Sequence, residues 1–418
     1  MATAMRIRWR VIFFGLLAAL AVAEALADVA EPTSDYADGT LTGDWAGRRS
    51  AWAAAGVNLD LGLKSDWLRT RGGQSTGGRP MNQLDVKVGA DLDKLWGWSS
   101  TRAFVHFLYD WGDAVNAGSI HSLIGVSNIE WPIATSRFFQ AWIEKRLIDD
   151  SLGVLVGLYP FDSEFSALDS AAVLLNPSFG ASPDISLTRG PSIFNNASFG
   201  LRLKWHAAAS PLYAQAALLD GVPGDPMHPK GTHVKFGRGD GSFHIVETGY
   251  LADGDGFSKF ALGAWGYTAR VADLVDVDAV GDPIRRRSRG WYALTEQTFW
   301  RHNEADLAAF ARYCATDGDS TAIVRAANLG LNWRAPLAAR RDDIAAIGIT
   351  RATMGAKFRA LAAARGNEAM PDESIVEATY RIAVTRMLAI QPTWQRIRHP
   401  GAARTGATVV GVRFELAL

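Results

Sequence analysis

One cysteine, Cys314, stands among 418 residues, so no intrachain disulfide can staple the fold, and the thiol reads as a small packed side chain. Beyond an N-terminal apolar segment, no run approaches the roughly 20 residues a spanning helix needs, which excludes a helical membrane protein. Neither charge sign is in excess: 43 Lys and Arg face 43 Asp and Glu, leaving no basic surplus to hold nucleic acid. No G-x-S-x-G, H-E-x-x-H, Walker or dinucleotide fingerprint occurs, and the histidines are scattered. No catalytic residue, metal ligand or cofactor is therefore expected. Asp253-Gly254-Asp255-Gly256 resembles the start of a calcium loop, but Phe257 takes the next ligand position, and a tight turn is the better reading. No Pro/Ser linker or composition shift marks a boundary between soluble domains.

What is present begins with a leader. Arg6, Arg8 and Arg10 precede an apolar run from Val11 to Val22, and Ala25-Leu26-Ala27 offers a cleavage site, so residues 1–27 read as a secretory signal peptide. Residues 28–56 form a polar lead with a short helix, capped by Thr42 or Asp44 and ended by Gly56. From Val57 the hydrophobic period becomes two. Val57, Leu59, Leu61, Leu63 and Trp67 alternate with Asn58, Asp60, Lys64 and Asp66, and Leu84 to Asp93 repeats the pattern. A third run sets Ala103, Val105, Phe107, Tyr109 and Trp111 against Arg102, His106 and Asp110. Further strands are predicted to start near Arg137, Leu152, Ala197, Leu212, Phe243, Phe257, Gly290, Leu307, Ala326, Ile344, Ser374, Leu388 and Thr408. About sixteen segments of around ten residues result, the length a tilted membrane strand needs.

The connections alternate long and short: Thr70 to Gln83 then Lys94 to Ser100, Gly112 to Ser136 then Arg146 to Ser151, Tyr159 to Asn196 then Ala207 to Pro211. Bacterial outer-membrane barrels have long outer loops and short periplasmic turns. Trp96, Trp98, Trp205, Trp300 and Trp333 fall at or beside predicted short turns, as an interfacial girdle would. The fold expected over 57–418 is thus all-β: a transmembrane up-and-down antiparallel barrel of about sixteen strands, with a short periplasmic helix before it.

A barrel of that size is too wide for its side chains to fill and encloses water. Its inward charges mix signs, which suits an uncharged polar solute. Residues 159–196 show neither strand period nor a long helix, and loops of this length are usually functional. They are expected to fold inward and constrict the pore. Aromatic faces and paired donors and acceptors suit sugars, so the candidate lining residues are Glu164, Asn176, Arg189, Asp162, Phe165 and Phe179 on the loop, with Arg102, Asp110, Arg202 and Lys204 on the wall. Wall residues that merely hydrate the lumen, and phenylalanines that pack the loop against the barrel, are the plainer alternative.

Several motifs then occur in an ordered series. Leu41-Thr42-Gly43-Asp44-Trp45-Ala46-Gly47, Gln140-Ala141-Trp142, Asn176-Pro177-Ser178-Phe179-Gly180, Ala197-Ser198-Phe199-Gly200-Leu201-Arg202 and the ending with Gln391-Pro392, His399-Pro400-Gly401 and Gly411-Val412-Arg413 resemble the OprB-type carbohydrate-selective porins. That resemblance implies a sixteen-stranded outer-membrane barrel passing glucose and related sugars by facilitated diffusion, with inward-folded loops and charges at the constriction. The partners expected are outer-membrane lipid and the barrel-assembly machinery; whether barrels associate into a homo-oligomer is left open by the sequence. A general or anion-preferring porin of the same fold, a barrel enzyme and a secreted polysaccharide-binding β-protein are the alternatives.

Overall fold

The computed structural model describes residues 35–73, 78–208, 210–253, 256–366, 371–403 and 405–418. The expected signal peptide, and residues 254 and 255 of the expected tight turn, lie outside them.

Among the described residues, sixteen strands close one antiparallel barrel, each paired with its sequence neighbours. They are β1 Val57–Gly72, β2 Gly78–Asp91, β3 Thr101–Gly112, β4 Thr135–Leu147, β5 Leu152–Tyr159, β6 Ser198–His206, β7 Leu212–Asp220, β8 Ser242–Asp253 and β9 Phe257–Tyr267. After a separate hairpin, β10 Val271–Val277 with β11 Pro283–Arg286, the wall resumes with β12 Arg289–His302, β13 Ala305–Thr316, β14 Ile323–Arg334, β15 Ile344–Met354, β16 Glu373–Ala383, β17 Leu388–Arg398 and β18 Ala407–Ala417. β9 pairs directly with β12, and β18 returns to β1 with Asp66 opposite Arg413.

Hydrophobicity is turned inside out. Leu262, Phe260 and Leu329 are 62%, 51% and 59% exposed, while Arg312, Arg413, Glu296 and Glu377 are buried. A soluble sandwich would place these the other way round; a barrel in lipid turns its apolar side chains outward and its polar ones to the lumen. Trp96, Trp98, Trp205, Trp300 and Trp333 are all exposed at the short-turn end, where indole rings can lie at the headgroup level.

Two local expectations change. The connection drawn from Thr70 to Gln83 is mostly strand, because β1 runs to Gly72 and β2 starts at Gly78. There Leu68 and Thr70 stay buried between exposed Arg69 and Arg71, a strand alternation above the apolar belt. The N-terminal helix spans Arg48–Ala54 and is entered through Gly47 at φ 88°, not capped by Thr42 or Asp44. The Asp44 carboxylate still takes Ser50 N at 2.8 Å and Ser50 Oγ at 2.6 Å. Gly56 follows the helix at φ 102°. Arg49 is buried beneath it and donates to the carbonyl oxygens of Leu59 and Leu418, each at 2.9 Å, which ties the segment to the closing strands.

Candidate functional site

The connection from β5 to β6 turns into the barrel in short helical turns at Phe161–Ser163, Asp169–Ala171, Pro177–Phe179 and Pro183–Ser186. Such turns leave backbone N–H groups without partners of their own, and burying them unpaired is costly. Inward carboxylates of the wall accept them. Glu247 takes Ser166 N at 2.8 Å, Glu296 takes Asp169 N at 3.0 Å and Ser170 N at 2.5 Å, and Glu377 takes Leu175 N at 2.6 Å and Asn176 N at 2.9 Å. The carbonyls are matched in turn: Arg312 donates to Ser178 O and Gly180 O at 2.7 Å, and Gln391 to Val173 O at 2.7 Å. These acceptors and donors sit on β8, β12, β13, β16 and β17, so the loop that leaves β5 reaches across the lumen.

The packing follows the same route. The Phe179 ring meets Phe310 edge-on at 6.0 Å, over a wall position with no side chain. A Cβ on Gly348 would stand 2.5 Å from Phe179 Cζ and 2.7 Å from Leu174 Cδ1. Glu247 is itself held by Tyr213 Oη at 2.8 Å and Tyr292 Oη at 2.7 Å. A second connection, between β3 and β4, also turns inward. Gln395 donates to Val126 O at 2.9 Å, Glu373 accepts Leu123 N at 3.0 Å, and Arg413 donates to Asn128 Oδ1 at 2.7 Å. The two loops join where Asn128 N meets Leu175 O at 2.8 Å and Asn176 Nδ2 meets Gly125 O at 2.9 Å.

The inner wall of β1 to β6 carries another arrangement. Glu144 sits between Arg102 Nε and Arg202 Nη1, the latter at 2.8 Å. Glu164, from the loop, accepts Arg202 Nη2 and Lys204 Nζ at 3.1 Å and Tyr159 Oη at 2.5 Å. Burial opposes its charge, but Arg202 and Lys204 outweigh burial and hold its carboxyl below the ordinary range. Phe104 and Trp142 stand opposite each other in the β3–β4 register, ring centroids 5.3 Å apart, and the Arg102 guanidinium lies 5.6 Å from the Trp142 ring. Both rings are half-exposed. The result is an aromatic face edged by fixed donors and acceptors of both signs. Toward the periplasmic end, a recess of about 630 Å³ is bordered by Asp60, Lys64, Asp85, Lys87, Arg381 and Glu415.

The model of the carbohydrate-selective porin family OprB matches residues 75–418. The chain belongs to the OprB family of carbohydrate-selective porins. It is a bacterial outer-membrane sugar porin. No curated protein sequence matches it. In structure it is similar to Pseudomonas putida OprB at high pH, with TM-score 0.82 and 19% identity over 92% of this chain and 100% of that one. The low-pH form of the same protein gives TM-score 0.58 and 16% identity over 93% and 100%. Salmonella typhi OmpF in complex with daunomycin gives 0.53 and 12% over 87% and 99%. At these identities the structural likenesses speak for the fold alone.

In this OprB-family porin, Arg102, Glu164, Arg202 and Lys204 come together at the aromatic face. The other expected lining residues do not join them. Asn176 is 1% exposed, its Oδ1 accepting Ser178 N at 3.1 Å. Phe165 and Phe179 are 0% and 2% exposed and hold the loop to the wall, the plainer alternative of the two. Asp110 is buried between Gln83 Nε2 at 2.8 Å and Asn195 Nδ2 at 2.9 Å. Arg189 donates to Asp240 O at 2.9 Å and Gly239 O at 3.2 Å and braces the connection after β7. Asp162 is half-buried beside a cavity of about 560 Å³ between the two loops, accepting Phe194 N at 3.1 Å. Burial raises its carboxyl to about 7. A folded-in loop must satisfy its own polar groups first, so these loop side chains, unlike that of Glu164, are spent on anchorage. Sequence reasoning passed over Glu144, Phe104 and Trp142, although all three share the inward parity of Arg102 on paired strands.

Proposed function

We propose that sugars cross beside the inner wall of β1 to β6, where the infolded loops narrow the lumen, and that Trp142 and Phe104 with Arg102, Glu164 and Lys204 form the surface they touch. The half-exposed ring pair beside fixed charges carries this reading. A sugar offers C–H faces to aromatic rings and hydroxyls to paired donors and acceptors. Weak, repeated contacts of this kind favour entry without trapping the solute, as passive diffusion requires. Insertion by the barrel-assembly machinery, and any self-association, belong to the same proposal.

Liposomes carrying the purified porin test it through glucose influx. Trp142→Ala is expected to lower influx several-fold at low glucose, while Arg189→Ala leaves it unchanged. Equal influx in wild type and Trp142→Ala, with the barrel folded, rejects the assignment of the surface.

One observation supports a second reading of the same pore, an anion preference. The Arg102, Lys64 and Lys204 side chains are 50%, 34% and 26% exposed, whereas those of Glu144 and Asp85 are 4% and 7%. Among these five side chains, the charges that water reaches are the cationic ones. A reversal potential across a salt gradient distinguishes the readings.

A further inference from the structure

At the extracellular rim, the outer surface carries a cluster of arginines. His244 on β8, Gly266 on β9 and Arg289 on β12 lie side by side in register. Their outward parity continues downward through Val246, Leu262 and Trp291, which are 52%, 62% and 49% exposed. Trp291 packs on outward-facing Tyr313, centroids 5.8 Å apart, an aromatic pair suited to the membrane–water boundary. Two residues further along a strand, about 7 Å, His244 and Arg289 reach the depth of lipid headgroups.

The site is open where it matters. A Cβ on Gly266 would lie 2.9 Å from His244 Nε2 and 3.6 Å from Arg289 Cβ, so glycine leaves a notch between the two side chains. Beyond it Arg270, Arg285 and Arg287 complete a recess of about 470 Å³. Arg287 Nε is fixed on Thr268 O at 3.1 Å and Arg285 Nη2 on Arg270 O at 2.6 Å. Both keep further N–H groups for a ligand. Among the described residues, none of Arg270, Arg285, Arg287 and Arg289 is ion-paired. Of the two carboxylates at the recess, Asp319 is paired with Lys357 Nζ at 2.7 Å beside Arg286, while Asp317, which accepts Arg289 N at 2.9 Å, stays anionic, so one free carboxylate charge stands against the guanidiniums of Arg270, Arg285, Arg287 and Arg289.

We propose that this recess binds the phosphate of an outer-leaflet lipid. A cluster of guanidiniums in excess over the carboxylates beside them is the arrangement that takes a phosphate through several charge-assisted hydrogen bonds, and its height above the Trp291–Tyr313 pair makes the phosphate of a lipid headgroup the occupant. The inference rests on the membrane placement of the barrel and is independent of which solute crosses it.

Native mass spectrometry of the detergent-purified porin, incubated with diphosphorylated lipid A or with the same lipid dephosphorylated, tests the proposal. Wild type is expected to retain the phosphorylated lipid about tenfold more than either the dephosphorylated lipid or the Arg287→Ser/Arg289→Ser variant does. Inorganic phosphate at millimolar concentration is expected not to displace it. Equal retention by wild type and variant overturns the proposal, and displacement by inorganic phosphate overturns the lipid as its source. Heat-modifiable migration and unchanged glucose influx establish that the variant is folded. Should it fail to fold, Arg270→Ser/Arg285→Ser serves with the same expected and opposing results.

Discussion

Asp66 and Arg413 face each other across the strand pair that closes the barrel, and Arg413 grips the carboxylate at both ends, Nε to Oδ1 at 2.6 Å and Nη2 to Oδ2 at 2.8 Å. The same two residues hold the loop between β3 and β4, through Ser127 Oγ on Asp66 at 2.6 Å and Arg413 on Asn128. Seam and loop are therefore fastened by one buried ion pair.

Removing one partner of such a pair strands the other charge, at a cost of about 3–5 kcal/mol. Asp66→Asn is expected to lower the urea midpoint of the lipid-inserted barrel by a corresponding amount. Asp66→Leu/Arg413→Met, which removes both charges, is expected to recover much of the loss. Urea titration followed by tryptophan fluorescence reads both.

Gly348 seats Phe179. Gly348→Ala forces the ring and Leu174 to move, with overpacking costs of about 1–3 kcal/mol. The loop is expected to leave its seat and single-channel conductance to rise. Phe179→Leu in the same background, by shortening the clashing side chain, is expected to return conductance toward the wild-type value.

Glu164 balances Arg202 and Lys204 at the lumen. Glu164→Gln removes one negative charge and leaves both cations, so the reversal potential in a salt gradient is expected to shift toward anions. Glucose influx should change less than the ionic selectivity, since glutamine still offers hydrogen-bonding groups. An unchanged reversal potential would place Glu164 outside the permeation path.

Asp162 gives a pH dependence with a definite sign. Burial raises its carboxyl from 3.8 to about 7 in the folded loop. Between those values the unfolded loop has released a proton that the folded loop keeps, so loop stability falls as pH rises from about 4 to 7 and levels off above. Hydrogen exchange of residues 161–194, corrected for intrinsic rates, is expected to show less protection at pH 7 than at pH 4.5. Asp162→Asn is expected to flatten the profile.

The barrel was legible because period two is a property of neighbouring residues: all sixteen predicted starts fall at or within a few residues of observed strands. The β10–β11 hairpin was not predicted, since it stands outside the wall and has no lipid-facing stripe to announce it. The inward turn of the β5–β6 loop could be argued from its length and aromatic content. Its anchors could not, because Leu175 meets Glu377 across 202 residues of chain and Ser166 meets Arg312 across 146. For the same reason Asn176 and Phe179 looked like solute contacts, although their surroundings make one a turn cap and the other a packing ring. Glu144 and Trp142 were within reach, as each lies on the inward side of a strand opposite Arg102 or Phe104.

Glu247, Glu296 and Glu377 hold the β5–β6 loop by its amide protons, so their grip takes no account of which side chain each held residue bears. Exposed positions on that segment can therefore be exchanged while its moorings stay fastened. A filter tethered this way could be retuned to a different cargo one position at a time, with the scaffold around it left as it is.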